Sequence, residues 1–378
     1  MLKSKKRNNH ERIILGMLRE NGSMTKYDLA DKMNISIPTV TTNVNRLLEE
    51  GVIEEIGVAD VEYGRKPILI DINYNRYFSI GIDIQEHSIY YCLMNLKLEM
   101  VTEERMEHTK KGLCEDLKNI VKILLDKNNL KRENIISISI SYPGFVEEEK
   151  LLLKKGPNIN ISNLSLENLR KELGIEIYVG NEARLAAFAE SIIGVSKEYL
   201  NSIYISIKEG IGAGIILDKK YYIGTSEAAG EIGHMVVTKD GKLCNCGNRG
   251  CVEAYLSIKS LIESFNAVST QKVNNLDELF EIYDESILEQ RLVIKEYLEY
   301  LAVLINNAFL IFDPDCVIIG GKMSEYQEKI EGFLKEIMTE YACGMLKTDR
   351  KIEFSVLGYK ASKFGAALRG LEDITQLT

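Results

Sequence analysis

The chain has 378 residues, 45% hydrophobic and 27% charged, which is too long for one small core and suits two or three domains of an ordinary globular protein. Its net charge of −9 is unevenly spread, since residues 1–47 hold nine Lys/Arg against four Asp/Glu and the remainder holds 38 against 52. A cationic start on an acidic body directs any polyanionic partner to the amino-terminal segment; with no apolar run near the ~18 residues of a membrane span and no secretory h-region, the expected location is cytoplasmic, with no membrane partner.

From Asn9 to about Glu20 the residues Ile13, Ile14, Met17 and Leu18 recur at helical spacing. A second short helix follows, capped by Thr25, with Leu29, Ala30 and Met33 inward and a turn at Asn34. Ser36 caps a third, where Pro38 is tolerated in the first turn and Val40, Val44, Leu47 and Leu48 form the buried stripe. The opposite arc carries Thr39, Thr42, Asn43 and Arg46. Gly51–Ile56 and Lys66–Ile72 then read as two strands around a loop containing Gly64-Arg65-Lys66-Pro67. The whole is a winged helix-turn-helix over residues 1–72. Its third helix suits a DNA major groove, where Thr, Asn and Arg reach base edges, while Arg65 and Lys66 on the wing meet phosphates or a minor groove. The plainer reading is a solvated accessory unit of three helices.

After a short junction at residues 73–76 the body begins. Tyr77–Ile84, Ser88–Leu96 and Glu99–Glu107 read as strands, Leu113–Asn128 as a helix, and Ile135–Tyr142 as a strand running into Pro143-Gly144-Phe145. The order recurs with strands at Asn201–Ile207 and Ala213–Leu217, helices near Leu256–Phe265 and Arg291–Phe312, and a strand at Cys316–Ile319 opening into Gly320-Gly321. A helix at Ser324–Tyr341, a strand at Ile352–Val356 and a small-residue helix at Ala361–Leu371 complete the chain. The fold class is α/β, with two lobes facing across a cleft in the actin-like, ribonuclease H-like manner.

One stretch concentrates the chemistry. Glu231-Ile232-Gly233-His234 is followed by Cys244-Asn245-Cys246-Gly247-Asn248-Arg249-Gly250-Cys251-Val252-Glu253, which holds three of the seven cysteines and one of the four histidines. Cys3His is a usual structural zinc set, and Gly247 and Gly250 allow the sharp turns that return Cys251 to the same ion. His234, Cys244, Cys246 and Cys251 are therefore the expected Zn2+ ligands. Three buried free cysteines beside an unrelated histidine are the plainer alternative.

These motifs, with Tyr142-Pro143-Gly144-Phe145-Val146, Gly156-Pro157-Asn158 and Val179-Gly180-Asn181-Glu182-Ala183 in the same order, resemble the landmarks of the ROK family of repressors and sugar kinases; the winged head makes the chain most similar to its xylose-repressor branch. The resemblance implies a sugar-kinase-like body, with residues 77–186 plus 356–378 as the first lobe and 187–355 as the second, carrying the zinc knuckle. It implies a monosaccharide, xylose or a hexose, held between the lobes by Gly144, Asn181, Glu182, Glu231, His234 and Glu253. It also places Glu182 where the kinases keep their catalytic aspartate. The phosphate loops depart from the kinase pattern. Asp-x-Gly-Gly-Thr is replaced by Asp83-Ile84-Gln85-Glu86-His87, and Gly-Thr-Gly-x-Gly by Lys208-Glu209-Gly210-Ile211-Gly212, so glycines that admit phosphate are lost and carboxylates that repel it appear.

The expectation is a sugar-responsive regulator without catalytic residues, most simply a repressor of carbohydrate-use genes. It would bind operator DNA as a homodimer or tetramer, sugar altering the placement of two winged heads. Two rivals stand beside it: a sugar kinase carrying a DNA-binding head, and a DNA-binding regulator whose body takes a protein partner.

Overall fold

The computed structural model describes residues 7–60, 66–109, 112–156, 159, 161–340 and 350–372. The chain folds as two compact units, residues 1–181 with 363–378 and residues 182–362.

The first unit opens with α1 (Asn9–Asn21), the two-residue strand β1 (Met24–Thr25), α2 (Lys26–Met33), α3 (Ile37–Glu49), β2 (Ile53–Val58) and β3 (Ile68–Ile72). Thr25 caps α2 in a reciprocal box with Asp28, and Asn34 ends it in the left-handed region. The strands pair in the order β1-β3-β2, all antiparallel. The wing thus gains a third strand that the sequence did not announce, because two residues show no period of their own. β2 starts two residues later than expected and runs two further, with a bulge between Glu55 and Gly57.

The same unit continues through β4 (Phe78–Ile84), β5 (Ser88–Asn95), β6 (Met100–Glu107), α4 (Leu113–Lys127), β7 (Ile135–Tyr142), the short strands β8 (Val146–Glu147), β9 (Leu152–Leu153) and β10 (Leu164–Ser165), then α5 (Glu167–Leu173) and β11 (Glu176–Asn181). Its main sheet is ordered β11-β7-β4-β5-β6, parallel at β11/β7/β4 and antiparallel at β4/β5/β6. Every residue of β4 is buried, as suits a central strand covered on both faces, whereas edge strand β6 alternates with solvent.

The second unit runs α6 (Glu182–Ile193), β12 (Ser202–Ile207), β13 (Ile211–Leu217), β14 (Lys220–Tyr221), α7 (Glu253–Leu256), α8 (Ile258–Val268), α9 (Leu276–Ile282), α10 (Leu288–Phe312), β15 (Cys316–Gly321), α11 (Gln327–Glu340) and β16 (Lys351–Phe354). Its sheet is ordered β14-β13-β12-β15-β16, with β12/β15/β16 parallel and β12/β13/β14 antiparallel. Numbering each five-stranded sheet's own strands from one in chain order, both sheets read 3-2-1-4-5, the duplication expected of an actin-like body. The expected helix at Leu256–Phe265 is two, since Ser257 ends α7 and caps α8 with its side chain.

The unit boundary precedes the expected 186/187. Gly214 of β13 leaves no space for a Cβ against Ala187 and the Ala183 carbonyl, so α6 lies tight on β13 and Glu182–Ala186 group with the second unit. Residues 356–362, expected in the first lobe, also group with the second. Buried Glu190 at the far end of α6 accepts from the Val195 amide (2.9 Å), the Leu357 amide (3.2 Å) and the Ser355 hydroxyl, and burial raises its pKa. The last helix, α12 (Ala361–Leu371), therefore begins in the second unit and ends in the first. There Gly81 of β4 meets the Lys363 carbonyl and Ala367 with no room for a methyl, and Gly370 meets Ser79, Ser137 and Ser139 in the same way. No helix among the described residues is long and apolar enough to cross a membrane.

Candidate functional site

The third helix of the head is oriented by its buried stripe. Val40, Val44 and Leu47 are fully buried, which turns Thr42, Asn45 and Arg46 to solvent and leaves Thr39 half-buried. Ser36 accepts from the Thr39 amide as N-cap, and the Thr42 hydroxyl donates to the Pro38 carbonyl at 3.0 Å. Asn43 departs from its expected role. It is 6% exposed, donates to the Thr39 carbonyl at 2.8 Å and accepts from the Asn8 amide at 2.9 Å, so it braces α1 against α3 instead of facing a groove. The signal was present, because position 43 shares the 40-44-47 spacing of the apolar face. Asn45, which sequence reasoning passed over, sits on the outer face and accepts from the Lys26 ammonium at 3.1 Å. Arg46 stays outward but is anchored from behind by Glu11, 3.1 Å away and buried, while Arg7 pairs with Glu50 at 2.8 Å. On the wing Lys66 is exposed and pairs with Asp60 at 3.0 Å; Arg65 lies outside the described residues, as do Pro157 and Asn158.

The second cluster forms around a short 3-10 turn, Ile232–His234, that ends on His234. Gly233 passes so close to the Ile211 carbonyl that a Cβ would clash, which fixes the turn against β13. The cysteine loop folds back through bridges pairing Val236 with Cys251 and Leu243 with Arg249. Its tight turns use Gly247 (φ +94°) and Gly250 (φ +80°), the latter pressed on the Thr238 carbonyl. One donor atom from each of His234, Cys244, Cys246 and Cys251 lies within 4.8 Å of the others, a set that could hold a metal ion. Cys244 Sγ is 3.8 Å from His234 Nδ1, and Cys246 Sγ is 3.7 Å from Cys251 Sγ. Burial pushes the Cys244 thiol up to about 12, so a cation would displace its proton on binding.

The ring's other nitrogen, Nε2, lies 3.9 Å from Glu231 Oε2, an outer carboxylate placed to orient the imidazole. Burial raises the Glu231 pKa, against the lowering effect of His234. Glu253 reaches two ways: Oε2 accepts from the Ile211 amide at 3.1 Å, and the Cys244 thiol faces Oε1 at 3.8 Å. Its carboxylate thus joins the cysteine loop to the Lys208–Gly212 turn that replaces a phosphate loop.

Glu182 and Asp83, the residues expected at kinase positions, are engaged by side chains of the chain itself. Glu182, at the start of α6, accepts the Ser206 hydroxyl on Oε1 at 2.8 Å and pairs through Oε2 with the Lys208 ammonium. Asp83 accepts from Ser141 (2.5 Å) on one oxygen and from Gln85 (2.9 Å) on the other. Of the expected sugar-binding residues, the first unit holds Gly144 and Asn181, with Asn181 donating to the Gly144 carbonyl at 3.3 Å; the second holds Glu182, Glu231, His234 and Glu253.

A ROK family model matches residues 79–370, and a winged helix-turn-helix DNA-binding model matches residues 7–54. The chain belongs to the ROK family. Among relatives of this ROK chain, the xylose repressor of Caldicellulosiruptor bescii is 27% identical over 96% of this chain and 95% of its own length, and that of Bacillus subtilis 26% identical over 94% and 93%. The DNA-binding transcriptional dual regulator NagC of Escherichia coli is 26% identical over 92% and 89%. In fold it matches a ROK family transcriptional regulator, a homologue of the Escherichia coli MLC protein, with TM-score 0.84, 23% identity and 98% coverage of both chains. A ROK glucokinase from Streptomyces griseus with glucose and AMPPNP bound matches at TM-score 0.67 and 22% identity, over 77% of this chain and 98% of its own.

Proposed function

We propose that this ROK protein is a sugar-responsive, DNA-binding transcriptional repressor that senses a monosaccharide without phosphorylating it. The observation that carries the second half is the engagement of both Glu182 oxygens by Ser206 and Lys208. A general base must carry away the proton of the attacking hydroxyl, whereas a carboxylate fixed by a hydroxyl and an ammonium is suited to accept a hydrogen bond from that hydroxyl without taking its proton. The first half is supported by the winged head and by relatives named repressors along almost the full chain. Those relatives are named xylose repressors, which favours xylose as effector, with a hexose as the alternative.

The metal of the knuckle is assigned as zinc. A tetrahedral ion with Zn–S bonds of about 2.3 Å separates its sulfurs by about 3.8 Å, against 3.7 Å between Cys246 and Cys251. His234 would bind through Nδ1, leaving Nε2 toward Glu231 and a sugar hydroxyl. Zinc there supplies cross-linking, not chemistry on the sugar. A cytoplasmic homodimer on a palindromic operator completes the reading, as half-site recognition by a winged head requires two copies in fixed register.

The test is a mobility shift of full-length protein on the DNA upstream of its own coding sequence, with xylose, glucose or N-acetylglucosamine added in turn, beside a coupled ADP-release assay. Sequence-specific binding relieved by one sugar, with no sugar-dependent ADP, is the expected result. Sugar-dependent turnover abolished by Glu182→Gln would reverse the assignment.

A further inference from the structure

We propose that Lys208 is an effector-binding residue: with Glu182 and Ser206 it forms a donor–acceptor set that reads one hydroxyl of a neutral, unphosphorylated sugar. This deepens the effector reading above and rests on it. Lys208 follows β12 at a position where the kinase pattern has glycine. Its backbone is held from both sides, its amide donating to the Gly210 carbonyl and its carbonyl accepting from the Ile258 amide, each at 3.0 Å. A pinned backbone aims the side chain at Glu182. The two side chains retain 18% and 13% exposure, sheltered but not sealed.

Fastening α6 to the sheet does not require this pair. Ala183, Ala186 and Ala187 are buried, and a Cβ on Gly212 or Gly214 would crowd Ala183 or Ala187, so the helix is docked by small-residue packing. A sheltered ion pair loses solvation and gives little net stability in return, which makes a purely structural purpose a poor explanation. Chemically the set suits a polyol. A hydroxyl donates one hydrogen bond and accepts others; a carboxylate has about four acceptor sites and an ammonium three protons, so side by side they serve both needs of one hydroxyl.

Charge narrows the ligand further. Lys208 and Glu182 neutralise each other. Glu253, held on the Ile211 amide three residues along the same turn, adds a carboxylate that itself acts on Glu231. With Glu231 counted beside Glu182 and Glu253, and Arg184 beside Lys208, three carboxylates stand against two cations, so a sugar phosphate meets repulsion where a neutral sugar meets hydrogen-bonding groups.

Calorimetry on the full chain tests this with xylose, glucose, glucose 6-phosphate and the monodeoxy analogues of whichever neutral sugar binds. Lys208→Met is expected to weaken that sugar by about tenfold or more while leaving sugar-free operator binding intact. Lys208→Arg, which keeps the charge, should recover most of the affinity. For the one deoxy analogue lacking the hydroxyl that is read, wild type and Lys208→Met should bind alike, and glucose 6-phosphate should not compete. Unchanged sugar affinity in Lys208→Met, or an equal loss for every deoxy analogue, would overturn the inference. Tight binding of the phosphate would overturn the neutral-ligand half. A wild type that binds operator yet no sugar would instead bring down the effector reading on which this rests.

Discussion

Asn43 and Arg46 stand three positions apart on α3, neighbours on the side that meets α1, yet one is buried and the other half-exposed. Asn43 joins α1 to α3 through Asn8, so Asn43→Ala removes that bond and the one to the Thr39 carbonyl; a loss of about 1 kcal/mol in urea unfolding is expected. Arg46 points out, and its anchor Glu11 sets the guanidinium in place before DNA arrives. Arg46→Ala should weaken operator binding about tenfold or more at low salt, with a reduced salt slope if it meets a phosphate and relaxed specificity at one base pair if it meets a base. Anisotropy titration separates the two; an unchanged footprint would remove α3 from the groove. The stripe of α3 was legible because its period repeats over three turns. The same spacing pointed Asn43 inward, but its polar side chain argued for the outer face as long as the partner Asn8 was out of view.

Among the elements, the cysteine knuckle was the most legible because its ligands are close in sequence and its turns demand glycine. β1 was the least, because a two-residue strand exists only through its pairing with β3. The role of Lys208 was equally hidden: nothing in the local pattern of β12 says that its ammonium meets Glu182, 26 residues earlier. The knuckle carries its own prediction. Full-length protein should contain one zinc per chain by elemental analysis, and Cys251→Ser should lose it, with a thermal midpoint several degrees lower because the loop between Val236 and Cys251 is then held by two bridges and a few hydrogen bonds. Full zinc occupancy in that variant would exclude Cys251 as a ligand.

On the scale of the whole molecule, the repeated 3-2-1-4-5 order explains why the second half of the sequence could be read from the first. Where the units divide could not be read, because α6 is assigned by packing against β13, which apolar period does not encode. The head is not carried on a loose tether. Tyr77 donates to the Glu50 carbonyl at 2.7 Å, Asn134 to the Arg76 carbonyl at 2.9 Å, and Arg12 of α1 to the Glu372 carbonyl just past α12 at 3.3 Å. Because α12 starts in the second unit and ends beside α1, Arg12→Ala is expected to preserve both sugar binding and sugar-free operator binding while reducing the sugar-induced change in operator affinity. Measuring the two affinities with and without sugar tests this; an undiminished ratio would exclude the contact from the coupling.

The Arg12 contact also ties the order of synthesis to the order of assembly. The winged head precedes the body along the chain, yet part of its seat is made by residue 372, 360 positions after Arg12. During translation the head can form its own three helices and wing, but it cannot settle fully against the body until α12 has emerged. A chain cut short before α12 would carry a DNA reader with no finished seat, so completion of α12 is what admits the head to the body.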